Sequence, residues 1–107
     1  MSDLKTQLWV QALLKRVVLQ GGYAVIARRG DPDAGAVLVV VDDLLGEARL
    51  YAPERIGDAE RAFRCIASDR HAIDAMIARR AATDPDLWVV EIEDRALRHF
   101  LTETILE

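Results

Sequence analysis

Residues 36–42 read AVLVVVD, six apolar positions in a row before the first acid. A strand with one wet face alternates apolar and polar residues, so an unbroken apolar run belongs to a strand covered on both faces. Ala36–Asp42, largely β-branched, is therefore read as a central strand of a sheet. The rest of the sequence must supply neighbours and cover.

Neighbours are near at hand. Tyr23–Arg29 (YAVIARR) alternates weakly, and GDPDAG (Gly30–Gly35) reads as a turn, with a proline between flanking glycines. After the central run, DLLGEA turns again about Gly46 into a short third strand, Ala48–Ala52. Asp42 and Asp43 are the kind of residue such a hairpin needs, and they are read as turn formers. Connections this short imply antiparallel neighbours, so the three strands are expected to form a meander. Pro53–Glu60 reads as a polar loop. Arg61–Ala67 reads as a fourth strand, with Phe63, Cys65 and Ala67 on one face and the cysteine as a small core residue.

Cover comes from the helices. From Leu4 to Leu19 the residues Asp3, Gln7, Gln11 and Lys15 make one polar stripe, and apolar residues fill nearly everything else. A surface helix shows a narrower apolar arc, so this one needs cover beyond its own sheet. Gly21 or Gly22 ends it. A second helix is expected from Asp69 to Ala82, with Ser68 as N-cap and Ile73, Met76, Ile77 and Arg80 on its inner face; Pro85 stops it. Leu87–Glu93 is a strand with Trp88, Val90 and Ile92 on one face and Leu87, Val89, Glu91 and Glu93 on the other. Residues 95–107 can be a short helix presenting Leu97, Phe100, Leu101 and Ile105, or a return strand; periodicity favours the helix.

The order α-β-β-β-(β)-α-β-α indicates one α+β domain over residues 1–107. Its sheet would be mainly antiparallel, of four to five strands, with helices packed on one face. At 107 residues the chain has room for one core and can bury it without staples. The lone cysteine, Cys65, cannot form an internal disulfide, and the N-terminus has neither the pattern of a signal peptide nor a membrane span, so a cytoplasmic protein is expected.

Function is much less constrained. A net charge of −4 disfavours a nucleic-acid binder, and the arginine pairs at 28–29 and 79–80 are too interleaved with acids to form a basic patch. No nucleotide loop, CxxC pair or nucleophile elbow is present. Glu91 and Glu93 share a strand face about 6.6 Å apart at roughly 3.3 Å per residue, close enough to share a cation or perturb each other's pKa. Asp94 follows, and His99 could return near them. The solvated rim of a strand is the favoured reading of these acids, and neither His71 nor His99 has a partner at metal-ligand spacing.

A helix holding Trp9, then AVIARRGDPDAGAVLVVVD, then LYAP, and finally DPDLWVVEIEDR…RHFL together resemble the domain of unknown function 1491 family, small proteins known mostly from alphaproteobacteria. The resemblance spans nearly the whole chain and puts Trp9, Gly30, Gly35, Pro85, Asp86, Trp88 and Asp94 on the family's motif. It implies a single cytoplasmic domain and assigns no catalytic residue.

The leading expectation is a non-enzymatic interaction module without cofactor or metal, self-associating as a homodimer and open to a further protein partner. Its contact would lie at Trp9, Val10, Leu14 and Val18, on the over-wide apolar face of the first helix. The rival is a small metal-dependent hydrolase or phosphoryl-processing enzyme. It would use Glu91, Glu93, Asp94 and His99, with Arg95 or Arg98 on the anion. Neither nucleic acid nor membrane is expected as a partner.

Overall fold

The computed structural model describes residues 5–57 and 60–107, so Asp3 and Leu4 of the expected first helix lie outside the described residues. The elements are α1 (Thr6–Leu19), β1 (Tyr23–Arg28), β2 (Val37–Asp42), β3 (Ala48–Ile56), β4 (Glu60–Ala67), α2 (Arg70–Thr83), β5 (Trp88–Glu93) and β6 (Thr104–Leu106). The six strands form one sheet in the order β1-β5-β2-β3-β4-β6. β2 lies inside it, with Val37 through Val41 all buried, as its unbroken apolar run requires.

Both faces of that strand are used. Val37, Val39 and Val41 pack with Trp88, Val90 and Ile92 under Trp9, Val10, Leu13 and Val17 of α1. Leu38 and Val40 pack with Leu87, Val89 and Leu50 under Ile73 of α2, with Met76, Ile77 and Ala81 partly buried beside them. The helices therefore sit on opposite faces, and the domain has three layers rather than helices grouped on one side.

The sheet is mixed, not mainly antiparallel. β5 inserts between β1 and β2, antiparallel to the first and parallel to the second. β1 and β2 are not neighbours, so the expected meander fails at its first turn. A strand that reaches the sheet through a helix, as β5 does through α2, enters parallel to a neighbour without needing a tight turn. The residues that make room for it are in GDPDAG. A Cβ on Gly30 or on Gly35 would fall 2.0 Å from the Asp86 carbonyl oxygen and against the Trp88 indole. Only glycine lets the link close over the entry to β5. There the Trp88 indole N–H donates to the Asp31 carbonyl (2.7 Å), the Asp31 N–H to the Asp86 carbonyl (3.0 Å), and the Trp88 N–H to the Ala36 carbonyl (2.8 Å).

The same link satisfies the start of α1. Lys5 at the N-cap makes no side-chain cap bond, but the Gln7 N–H donates to the Pro32 carbonyl and the buried Thr6 hydroxyl to the Gly35 carbonyl. Free N-terminal amides of a helix need such acceptors. α2 is capped by Asp69, whose carboxylate accepts the Ala72 N–H at 2.9 Å; Ser68, the expected cap, stands one residue outside.

Three further segments differ from expectation. β3 runs on to Ile56 and pairs with β4, so Pro53–Ile56 of the expected loop at Pro53–Glu60 is strand; Asp58 and Ala59 of that loop lie outside the described residues. β2 pairs with β3 only as far as Tyr51, which leaves the missing N–H of Pro53 where that ladder has already ended. Cys65 is exposed rather than buried. β6 flanks β4 only at Ala62–Arg64, short of Cys65, and a register shift between Leu50 and Tyr51 ends the expected common face: Phe63 packs on the α1 side of the sheet and Ala67 on the α2 side. Residues 95–103 form a turn at Arg95–Ala96 and then irregular chain rather than a helix, with Leu97 and Phe100 in the left-handed region at φ 59° and 61°. Phe100 and Leu101 nonetheless cover apolar surface beside Val17 and Leu13, so the wide apolar arc of α1 is shared between the sheet and the C-terminal segment.

Replacing Gly35 with Ala should therefore destabilise the fold by about 1–3 kcal/mol or more, because neither a backbone carbonyl nor a packed indole can retreat cheaply. Urea denaturation checks it; an unchanged midpoint would refute the close approach.

Candidate functional site

The parallel strands β2 and β5 end side by side, and acids collect at their carboxyl ends. In an open sheet such an end is a common place for a ligand site. Asp42 pairs in register with Glu93, and Val40 with Glu91, which puts Asp42, Glu91 and Glu93 on the face that α2 covers. Carboxylates at this spacing repel one another, and the first turn of α2 answers with Arg70. Its guanidinium reaches Glu91 (3.1 Å), Asp42 (3.3 Å) and Asp74 (3.1 Å). Glu91 is thus half-buried and ion-paired, which is more than a solvated rim.

Asp94 turns to the other side. Only 7% exposed, it accepts the Arg98 N–H and Nε through Oδ2 (2.9 and 3.1 Å) and the Arg98 Nη2 through Oδ1 (2.7 Å). These bonds hold its carboxyl below the ordinary 3.8, with burial opposing them. Arg98 also donates to the Gln20 carbonyl at the end of α1 and stacks over Phe100. Asp94 and Arg98 are a clasp that pins the C-terminal segment to α1, so Arg98 is bound to a carboxylate rather than free to hold an anion.

His99 lies on the α1 side of the sheet, edge-on to Tyr51 and away from the face that carries Glu91 and Glu93. Its Nδ1 accepts the Leu101 N–H at 2.9 Å. Burial, and then the nearby Arg49 guanidinium, hold the imidazole below its ordinary 6.5, in the neutral form. His71 is exposed on α2. Among the described residues no three His, Cys, Asp or Glu side chains converge to hold a metal ion.

At the strand ends a shallow, open cleft of about 500 Å³ is lined by Gly21, Gly22, Tyr23, the turn residues Asp43–Leu45, and Glu93–Arg95. The turn is rigidly held. Asp42 Oδ1 accepts the Leu44 N–H, while Asp43 Oδ1 accepts those of Leu45 and Glu47. Leu44 sits at φ 60°, a region that non-glycine residues seldom adopt. Held this way, Leu44 and Leu45 point into water, 65% and 72% exposed. Nothing in the one-letter pattern DDLLGE announces this, since a turn leucine reads as readily as the edge of a core.

The four helix residues expected at a contact divide. Trp9 and Val10 are buried inside the chain, Trp9 stacked on Phe63 with its indole N–H on Glu103, and Leu14 is half-buried against the same core. Val18 alone is exposed. The full row Val10–Leu14–Val18 is therefore not an open surface, because Val10 faces the sheet. No helix among the described residues is long and apolar enough to cross a membrane.

A family model described as "Protein of unknown function (DUF1491)" matches residues 4–102. The chain is similar to a DUF1491 family protein from Caulobacter crescentus CB15 known from a crystal structure, at 48% identity and a TM-score of 0.91 over 97% of this chain and all of that one. A second structure of such a protein from the same organism, by NMR, gives 46% and 0.89 over the whole of both chains. The solution structure of a protein from Agrobacterium tumefaciens gives 29% and 0.81, covering 99% and 98%. Among curated proteins none matches.

Two titrations follow from the clasp and the imidazole. Asp94→Asn should cost about 1–3 kcal/mol, read as a lower urea midpoint. The Asp94 contribution is present above 3.8 and disappears as pH falls below it, because the folded carboxyl gives up its proton more readily than the unfolded one. For His99 the unfolded chain takes up a proton first, so stability should decline as pH falls below 6.5. His99→Asn, which keeps an acceptor near the Leu101 amide, should flatten that decline; an unaltered pH profile of Tm would show that His99 does not cause it.

Proposed function

Starting from the fact that the chain belongs to the DUF1491 family, we propose that it acts by contact rather than catalysis, as a small interaction module that self-associates. The carrying observation is where exposed apolar side chains collect. Tyr23, Leu44 and Leu45 line the open cleft, Val25 is two residues further along β1, and Val18 and Leu19 end α1 just before Gly21. Among the described residues, only Leu8 and Ile66 of the large exposed apolar side chains lie elsewhere. Exposed apolar residues gathered at one end of the domain support an interface reading, as scattered single residues would not.

The held turn supports the same reading. A left-handed leucine costs on the order of 1 kcal/mol, and the two aspartates that enforce it gain nothing from pointing apolar groups at water. The arrangement becomes favourable when a partner covers the leucines. Closed two-fold symmetry is the commonest such solution. The expected contact thus moves from the middle of α1, where Val10 is buried, to its last turn and the cleft.

Catalysis by the acids has less support. Glu91 is paired to Arg70, Asp94 is bound to Arg98, and His99 lies on the other face of the sheet. A cation would first have to displace Arg70.

Sedimentation velocity at tens of micromolar should give a dimer for the wild type. The double variant Leu44→Ser, Leu45→Ser should shift it toward monomer with its Tm nearly unchanged, since both side chains are already exposed. A monomeric wild type would refute self-association.

A further inference from the structure

The two edges of the sheet are unlike. β6 at one edge is three residues long, the kind of short strand that natural sheets use to blunt an edge. β1 at the other runs six residues, YAVIAR, with neither proline nor lysine, and one register shift between Ile26 and Arg28 is its only irregularity. Its inner side pairs with β5, so every second N–H and C=O points outward to where, among the described residues, no strand lies. α1 covers one face of β1 through Ala24 and Ile26, while Tyr23 and Val25 stay 55% and 40% exposed on the other.

We propose that a second copy of this chain adds to the outer side of β1, antiparallel, about a two-fold axis at Val25, making one continuous sheet of two domains. This rests on the self-association proposed above and specifies its geometry. The charges of β1 choose the occupant and the direction. Glu93 is the register partner of Tyr23 at the start of β1, and Asp43 and Asp94 line the cleft there. Arg28 and Arg29 stand at the other end. Arg28 donates to the carbonyls of Pro85 and Leu87, and Arg29 stacks on Trp88, so among the described residues neither guanidinium is paired with a carboxylate. A two-fold axis at Val25 sets Ala24 opposite the partner's Ile26 and, past the register shift, brings the Arg28 end of β1 toward the partner's Gly22 and the partner's Tyr23, at the acidic end. Symmetry makes that contact twice. Parallel pairing would instead set acid against acid and arginine against arginine. The chain is therefore complementary to itself along this edge, the condition for an isologous interface, and strand addition supplies main-chain hydrogen bonds as its affinity.

Val25→Lys tests the axis. In the monomer the new lysine lies opposite Glu91, its register partner, so the fold tolerates it. In the dimer two lysines meet on the axis, where like charges are unfavourable, and the dimer Kd should rise about tenfold or more. Val25→Cys in a Cys65→Ser background gives an independent reading. Cross-strand Cβ atoms directly opposite lie about 4.5–5.5 Å apart, near enough for oxidised glutathione to join the two thiols as a disulfide, and Cys65→Ser alone should stay uncrosslinked. If Val25→Lys does not fold, the cross-link decides. A wild-type dimer that Val25→Lys leaves intact and Val25→Cys fails to cross-link would overturn edge pairing while self-association stands. A monomeric wild type overturns both.

Discussion

The hydrogen bond from the Trp88 indole to the Asp31 carbonyl holds together segments that are distant in sequence. Trp88 is fully buried, and an indole N–H buried without an acceptor would cost about 1–3 kcal/mol. Asp31 can offer its carbonyl only because Gly30 and Gly35 let the link lie against Asp86 and the ring. Once the link is there, its other carbonyls are fixed too, and α1 uses Pro32 and Gly35 as acceptors for its first turn. The slot between β1 and β2, the seat of α1 and the entry of β5 thus depend on one packed indole. The residues that carry the family resemblance are, in this light, mainly the parts of that joint. Gly30, Gly35, Asp86 and Trp88 meet in it, and Asp94 forms the clasp at the other end of β5.

What was legible in the sequence follows from what periodicity encodes. The double-sided burial of Val37–Val41, the opposite faces of Trp88–Glu93 and the inner face of α2 at Ile73 are local patterns, and each appears as read. Strand partners are not local. The short β1–β2 link suggested a hairpin, but its length was spent on closing over Trp88 rather than on turning back. The helix expected after Asp94 failed for a related reason. Spacing at Leu97, Phe100 and Leu101 fits a helix, yet the Asp94 carboxylate takes the Arg98 amide and guanidinium together and sends the chain through left-handed residues. Side-chain capture of a backbone amide competes with helix formation and leaves no periodic trace.

The acids show the same division. Their common face on β5 was legible, because strand alternation fixes it. Their partner was not, since Arg70 arrives from the start of α2. That arrival changes what the acids are. Carboxylates gathered at the ends of parallel strands would favour a cation, and the protein supplies one covalently, as a guanidinium with Asp42 and Glu91 of the strands and Asp74 of α2 around it. Arg70 is itself about a third exposed, so water screens each pair and none contributes much alone. Their joint effect is to fix the first turn of α2 over the strand ends.

Rigidity at that end bears on the proposed contact. The Asp42 and Asp43 carboxylates hold the β2–β3 turn by three hydrogen bonds to backbone amides, so Leu44 and Leu45 sit on a frame with little backbone freedom left to lose. Ordering a loop at an interface is one of the main costs of association, and a turn already ordered avoids it. Edge pairing through β1 would benefit in the same way, since β5 and α1 already hold the strand extended. A flexible surface of equal apolar area would gain the same burial and give back more of it in entropy. If the domain works by contact, the strained leucine, the paired aspartates and the open edge are consistent with one another: each presents a group that the isolated chain does not need, in a conformation that a second chain could use unchanged.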